Sequence, residues 1–430
     1  LPLALVDPEF AKRQLLLLTS VEYMHPNGQL PAYEWNFSDT NPPVHAWAAL
    51  RVFEIDGSRD FGFLERMLHK LLLNFTWWVN REDSEGRNVF TGGFLGLDNI
   101  SPIDRSALPP DERLEQSDAT GWMARYCLDL LRITLVLAEH DPAYEELAVK
   151  FALHFAVIAT ATDELWDEGD GFYYDLLRFS DGSSTPLRVH SVVGLIPLLA
   201  AMELSADRLA RFPALARALD RLEQEKPRLA RAIARDAGGR RVLAVVPPER
   251  LERMLARVFD ENEFLSPYGL RSLSRYHLEF PFELDVRGFR ARVDYEPAES
   301  TTPLFGGNSN WRGPVWMPIN YLAVEGLRAY HTTGGDDIRV ELPARSGNYV
   351  TVAAAADDLA RRLVSIFLAG PDGRRPVQRS YGKLQDDRAF RELIPFHEYF
   401  HAETGAGLGA SHQTGWTGLV AMLLSDGRRD

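Results

Sequence analysis

The chain has 430 residues, 45% of them hydrophobic and 25% charged, a composition that can bury a large core. Its 61 Asp and Glu against 47 Lys and Arg give a formal net charge of -14, which argues against nucleic acid as the main partner because phosphate binding needs basic patches. A single cysteine, Cys127, excludes an internal disulfide and a thiolate metal cluster, and no run of about 18 apolar residues marks a membrane span.

Pro8 to Thr19, with Phe10 and Leu15 to Leu18 behind a proline in the first turn, is predicted to be a helix. The turn-rich stretch HPNGQLPAYEWNFSDTNPPV follows, then helices over His45 to Phe53 and Phe61 to Val79. In the latter, Phe63, Leu64, Met67, Leu71, Leu72 and Phe75 recur largely at three and four. The loop FTGGFLGLDNISPIDRSALPP leads into Ala119 to Glu139, a helix apolar over so much of its surface that it should be buried. Tyr144 to Ala159 is predicted to be the next helix, and LWDEGDGFYYDLLR reads as a loop. Helices are also expected over Ser191 to Leu204, Phe212 to Ala232, Val246 to Phe259, Asn320 to His331, Val350 to Phe367 and Gln413 to Leu424. Arg240 to Val245 and Phe289 to Tyr295 are the best strand candidates, as local hairpins. With no βαβ alternation, a Rossmann fold or a barrel of strands is not expected. Helices alternating with long Trp-, Tyr-, Asp- and Gly-rich loops fit one all-α domain over residues 1–430, a double-layered toroid with its loops around one mouth.

The stretch from Phe305 to Ala323, FGGNSNWRGPVWMPINYLA, sets Arg312 between Trp311 and Trp316 on a loop that enters a helix. Such a loop suits a molecule with apolar faces and polar edges, as a sugar has, although Trp and Arg also anchor protein interfaces. Two carboxylates stand out. Asp98 in GGFLGLDNIS has Phe94, Leu95, Leu97 and Ile100 around it, and apolar surroundings disfavour the charged form, as a proton donor requires. The bland alternative is a carboxylate that bonds its own backbone. Glu398 lies in PFHEYFHAETGAGLGASHQTGWTG with Tyr399, Phe400 and Trp416 as possible apolar walls. His397 to His401 also fits the zinc pattern H-E-x-x-H, with His412 as a conceivable third ligand. That motif needs both histidines on one helix, and Pro395 before it and Thr404-Gly405-Ala406-Gly407 after it leave room for barely two turns. Among the other acids, Asp118 at the head of a predicted helix reads as a cap; Glu34 and Glu299 could meet sugar hydroxyls. His190 is expected to be satisfied by a local hydrogen bond.

At GLDNIS (Gly96 to Ser101), NSNWRGPVWMPINYL (Asn308 to Leu322) and HEYFHAETGAGLGASHQTGWT (His397 to Thr417) the chain resembles glycoside hydrolase family 63, the relatives of processing α-glucosidase, and more distantly trehalase. The resemblance implies an (α/α)6 toroid that hydrolyses α-glycosidic bonds with inversion and uses no cofactor or metal for the chemistry. It places the general acid at Asp98 and the general base at Glu398, with Trp311, Arg312 and Trp316 in the sugar-binding loop. Glu34, Trp35, Asn99, His397 and Trp416 complete the expected substrate-binding set. Phe94-Leu95-Gly96 stands where the family usually carries Glu-Ser-Gly, so the sugar does not transfer from a relative. The resemblance also implies a helix with a Trp-Asp element ahead of Leu1, which makes the chain the C-terminal part of a longer protein. The expected partner is a small molecule or oligosaccharide, with neither nucleic acid nor membrane, in the cytoplasm. A toroid that binds carbohydrate without hydrolysing it, and a zinc hydrolase built on His397 and His401, are the alternatives.

Overall fold

Lys12 shows how the first helices are held. It sits on α1 (Pro8–Leu18), is buried, and donates to Asp56 at 2.9 Å, to Asp60 at 2.7 Å and to Glu9. Those three carboxylates are the one acidic group among the described residues that could hold a metal ion; the Lys12 ammonium already occupies its centre. The computed structural model describes residues 1–33, 36–81, 86–91, 100, 108–109, 112–301, 310–411 and 415–426. They fall into two compact units.

The first unit comprises Leu1–Leu95, Pro110–Pro186 and Ile196–Pro248. It contains α1, α2 (His45–Ile55), α3 (Phe61–Arg81), α4 (Ser117–Ala138), α5 (Tyr144–Ala161) and α6 (Pro213–Glu225). As expected, α4 is buried along almost its whole length. Its polar groups are therefore paired: Arg125 bonds Asp129 at 2.9 Å and the Leu199 carbonyl at 2.8 Å, and Arg132 bonds Asp129 and the Ala201 carbonyl. Gly121 in the same helix faces Pro197 so closely that a Cβ would lie 2.9 Å from its nitrogen. Asp118 is not the cap. Gln116 holds that position, and Asp175 accepts the Ser117 N–H at 2.8 Å.

Three stretches depart from expectation. The helix expected over Ser191 to Leu204 is a 3-10 segment, Val192–Leu199, with Pro197 inside it, followed by the strand Ala201–Leu204; proline removes a donor and clashes in an α-helix interior. Proline also splits Phe212 to Ala232, where α6 stops at Glu225 and Pro227–Ala230 restarts. The loop after α5 is a hairpin, Trp166–Asp167 with Phe172–Tyr173, turned by Gly171 at φ +66, and a further strand, Asp175–Arg178. Of the two expected strands, Arg241–Ala244 lies between Ala201–Leu204 and Ile233–Arg235, so one of its partners is distant in sequence. Phe289–Val293 pairs locally with Phe282–Val286 through Arg287 and Gly288, both at positive φ.

The second unit comprises Gly96–Pro109, Leu187–Leu195 and Glu249–Asp430. Its longer helices are α7 (Pro248–Val258), which starts one residue before the unit, α8 (Met317–Gly334) and α9 (Val352–Ser365). The helix expected near the C-terminus is a 3-10 turn, Gly415–Leu419, running into Val420–Asp426. Among the described residues no helix is long and apolar enough to cross a membrane.

Candidate active site

The WRGPVW stretch is seated by backbone pairing on both sides. Val315 bridges Arg271 on one flank and Phe400 on the other, giving N–H to O distances of 2.8 and 2.9 Å with Phe400. Gly313 has φ +151, and a Cβ there would lie 2.7 Å from the Glu296 carbonyl oxygen; a side chain would push the two chain segments apart. At the start of α8, Asn320 accepts from the Leu270 N–H and donates to the Leu270 and Trp316 carbonyls. One amide thus continues a strand ladder that the helix would otherwise interrupt.

Aromatic rings stack outward from this seat. Trp311 lies on Trp316 with centroids 3.8 Å apart and planes at 10°, and Trp316 lies on Tyr399 at 4.7 Å and 22°. Trp416 closes on Trp316 at 5.8 Å. Trp311 and Trp316 are 5% and 1% exposed, whereas Trp416 is 37% exposed, so Trp416 offers more ring to a ligand than the two tryptophans of the motif. Arg312 is buried too. Its Nη2 bonds Glu296 at 3.0 Å and Ser300 at 2.7 Å, partners that Glu296-Pro297-Ala298-Glu299-Ser300 did not announce. The acidic residues spaced three apart were the available signal.

Glu398 is half-buried beside this stack. Its N–H donates to Ala410, its carboxylate accepts from the Ala410 N–H at 3.2 Å, and its carbonyl accepts from the Trp416 indole at 2.9 Å. The neighbouring Gly409 N–H donates to Glu299 at 3.0 Å, and Glu299 also accepts from the Tyr399 hydroxyl. Two carboxylates therefore bind consecutive amides of one turn. Burial, followed by the hydrogen bond to Glu299 and that group's charge, pushes the Tyr399 hydroxyl above its usual range, which keeps it a donor. Gly409 has φ +67, and a Cβ would meet the Glu398 carboxylate at 2.6 Å.

The zinc pattern is not on a helix. Tyr399–Phe400 is a strand paired with Gly407–Leu408, so the i, i+4 face that lets two histidines share an ion is missing. His397 is 1% exposed, with Gly407 against its ring and Tyr381 stacked on it. His401 Nδ1 accepts the Glu403 N–H at 3.1 Å. Burial lowers both histidine pKa values. Asp98, Asn99, Glu34, Trp35 and His412 lie outside the described residues.

His190 belongs to a polar cluster. Its Nδ1 is 3.2 Å from Glu263 and 3.3 Å from Arg257, and Ser274 donates to the same glutamate at 2.7 Å. Its backbone N–H donates to His277 Nε2 at 2.9 Å, while His277 Nδ1 lies 2.9 Å from the Phe280 carbonyl. That pair fixes His277 as a neutral ring protonated on Nδ1. Burial lowers its pKa to about 4, against the pull of the Phe280 carbonyl. An unfolded histidine titrates near 6.5, so the unfolded chain binds the extra proton and stability falls as pH drops through that window. The His277 contribution is expected to shrink by about 2 kcal/mol between pH 7.5 and 5. Urea denaturation at both pH values, compared with His277→Gln, measures it; an equal acid loss in the variant would contradict the assignment.

Comparison with known proteins places this geometry in a family. The profile of the mannosylglycerate hydrolase MGH1-like glycoside hydrolase domain matches residues 1–227 and 241–417. An uncharacterized protein of Saccharomyces cerevisiae is 48% identical over 99% of this chain and 42% of its own length. The mannosyl-oligosaccharide glucosidase of the same yeast is 26% identical over 41% of this chain and 15% of its own length. The chain thus spans less than half the length of these curated relatives. The crystal structure of the GH63 mannosylglycerate hydrolase of Thermus thermophilus in complex with glucose aligns with a TM-score of 0.54 at 18% identity, covering 99% of this chain and 90% of that one. The fold class is that of these hydrolases, the all-α (α/α)6 fold. By the extent of the profile match, the chain belongs to the family of mannosylglycerate hydrolase MGH1-like glycoside hydrolase domains.

Proposed function

We propose that the chain hydrolyses an α-glycosidic bond with inversion, Glu398 acting as general base and Asp98 as general acid. The observation that carries the reading is the setting of Glu398: a half-buried carboxylate, oriented by the Ala410 amide beside a wall of stacked aromatic rings, in a glycoside hydrolase domain. In the proposed step Glu398 takes a proton from water as the oxygen attacks the anomeric carbon. The glycosidic C–O bond breaks with its electron pair on the leaving oxygen, and Asp98 protonates that oxygen. Trp416, the more open ring, would meet the apolar face of the sugar, with Glu34, Trp35 and Asn99 completing the substrate contacts, while His397, buried under Gly407 and Tyr381, would support the wall from behind instead of touching the sugar. Trp311, Trp316 and Arg312 would set the wall behind it.

The relatives' names, a mannosylglycerate hydrolase and a mannosyl-oligosaccharide glucosidase, make manno- and gluco-configured α-glycosides the substrates to try. The same proposal sets the chain in the cytoplasm. The test is proton NMR of a panel of α-linked gluco- and manno-disaccharides and glycerate or glycerol glycosides. The β-anomer of the sugar is expected to appear first. Release of the α-anomer first would overturn inversion, and sugar binding without release from the full-length protein would favour a carbohydrate-binding role.

A further inference from the structure

Beyond α9 the chain makes a turn that collects arginines in GPDGRRPVQRS, residues 370–380. The turn is well ordered by its own bonds. Gly370 N–H donates to the Arg374 carbonyl at 2.8 Å, Gly373 turns at φ +75, and the Arg375 N–H donates to Gln385 at 2.7 Å. Between this turn and Tyr268 is a cavity of about 560 Å³, whose lining includes Ser365, Arg374, Arg375, Arg379 and Gln385. That volume suits a small organic ligand. The cavity shares no lining residue with Glu398 or the stacked tryptophans.

The charges do not cancel inside it. Arg374 pairs with Asp386 at 2.8 Å. Asp372, the one carboxylate of the lining, spends an oxygen on the Arg374 N–H at 3.0 Å. Arg375 donates one Nη1 bond to the Phe367 carbonyl at 2.7 Å, which fixes its guanidinium without neutralising it. Among the described residues neither Arg375 nor Arg379 has a carboxylate partner. In a chain of net charge -14, two unneutralised guanidiniums in one concavity focus a local positive field. Guanidinium forks match the oxygens of a phosphate.

We propose that this cavity binds the phosphate group of a small phosphorylated molecule, with Arg375 and Arg379 as its ligands and a sugar phosphate as the occupant that the volume fits. The site stands independently of the glycosidase reading. Calorimetric titration of the full chain with glucose 6-phosphate, inorganic phosphate and glucose tests it. Glucose 6-phosphate is expected to bind, at least about tenfold more weakly to Arg379→Ala and more weakly still to Arg379→Glu, and with unchanged affinity to Glu398→Gln. Arg379 is exposed and, among the described residues, its side chain makes no hydrogen bond or ion pair, so both variants should fold as the parent does. Tighter binding of the ester than of inorganic phosphate identifies a phosphorylated sugar; equal affinity identifies free phosphate on the same arginines. Absence of phosphate binding, binding indifferent to both Arg379 variants, or binding lost in Glu398→Gln would overturn the site.

Discussion

Glu398→Gln is expected to lower turnover by about 10³-fold, the scale of a lost general base, with the melting temperature unchanged. The stability half follows from the geometry. Among the described residues the carboxylate accepts the Ala410 N–H at 3.2 Å, and a glutamine amide oxygen, being isosteric, accepts the same bond. The activity half follows from the proton, since an amide cannot take one from water at neutral pH. Asp98→Asn should cost a similar factor on ordinary glycosides, but the two variants separate by leaving group. A glycosyl fluoride needs little protonation of its leaving atom, so it should restore Asp98→Asn and not Glu398→Gln. Azide, a nucleophile that needs no base, should restore Glu398→Gln and deliver a glycosyl azide of inverted configuration. Full activity in Glu398→Gln on an ordinary glycoside would remove this residue from the reaction. Glu299, bound to the next amide of the same turn, would then be the carboxylate to change.

The helices were legible where burial and period agree. In α4 the apolar positions predicted a buried helix, and the polar ones found partners inside it. Proline is the local signal that breaks two stretches otherwise helical in pattern, the apolar one at Pro197 and the charged, more exposed one at Pro227. Glu398 was legible because a carboxylate amid aromatic residues is chemically unusual. The supports of the site were not. Glu296 lies 16 positions from Arg312, and Glu299 lies 110 positions from Gly409; no periodicity links them, and their pairing arises only when the strands meet. Gly313 and Gly409 were readable as glycines but not as close approaches, because the atoms that exclude a Cβ come from distant segments. The H-E-x-x-H pattern shows the converse. Five letters matched, yet the chain pairs Tyr399–Phe400 as a strand, and spacing that counts turns of a helix has no meaning there.

Arg271→Leu is expected to destabilise the second unit by about 3–5 kcal/mol, the cost of removing one member of a buried charged network. Arg271 is 1% exposed. Its Nε bonds Tyr295 and Glu403, each at 3.0 Å, its Nη2 bonds Glu403 at 2.8 Å, and its Nη1 reaches the carbonyls of Glu261, Glu263 and Leu265. Leucine would strand those carbonyls and leave Glu403 with only the Tyr295 hydroxyl, at 2.8 Å, from this network. Glu403→Gln should cost only about 1 kcal/mol, because its side chain is 35% exposed and water screens its charge. The asymmetry between the two variants separates loss of a buried donor set from loss of an ion pair, and urea denaturation with unchanged m-values measures it. The pH dependence has a fixed sign. Burial alone would raise the Glu403 pKa, but the Arg271 charge holds it below the usual range, so this contribution is present above about pH 4.3 and is lost as pH falls through the folded value. Arg271→Leu should abolish that acid-side slope. Its consequence for function runs through the backbone: Arg271 bridges Val315, which seats the tryptophan loop between Arg271 and Phe400. Loosening that seat should weaken the near-ultraviolet circular dichroism of the stacked Trp311 and Trp316 before the helices melt. A variant that unfolds in one step with the tryptophan signal intact to the end would show that the seat holds without the guanidinium.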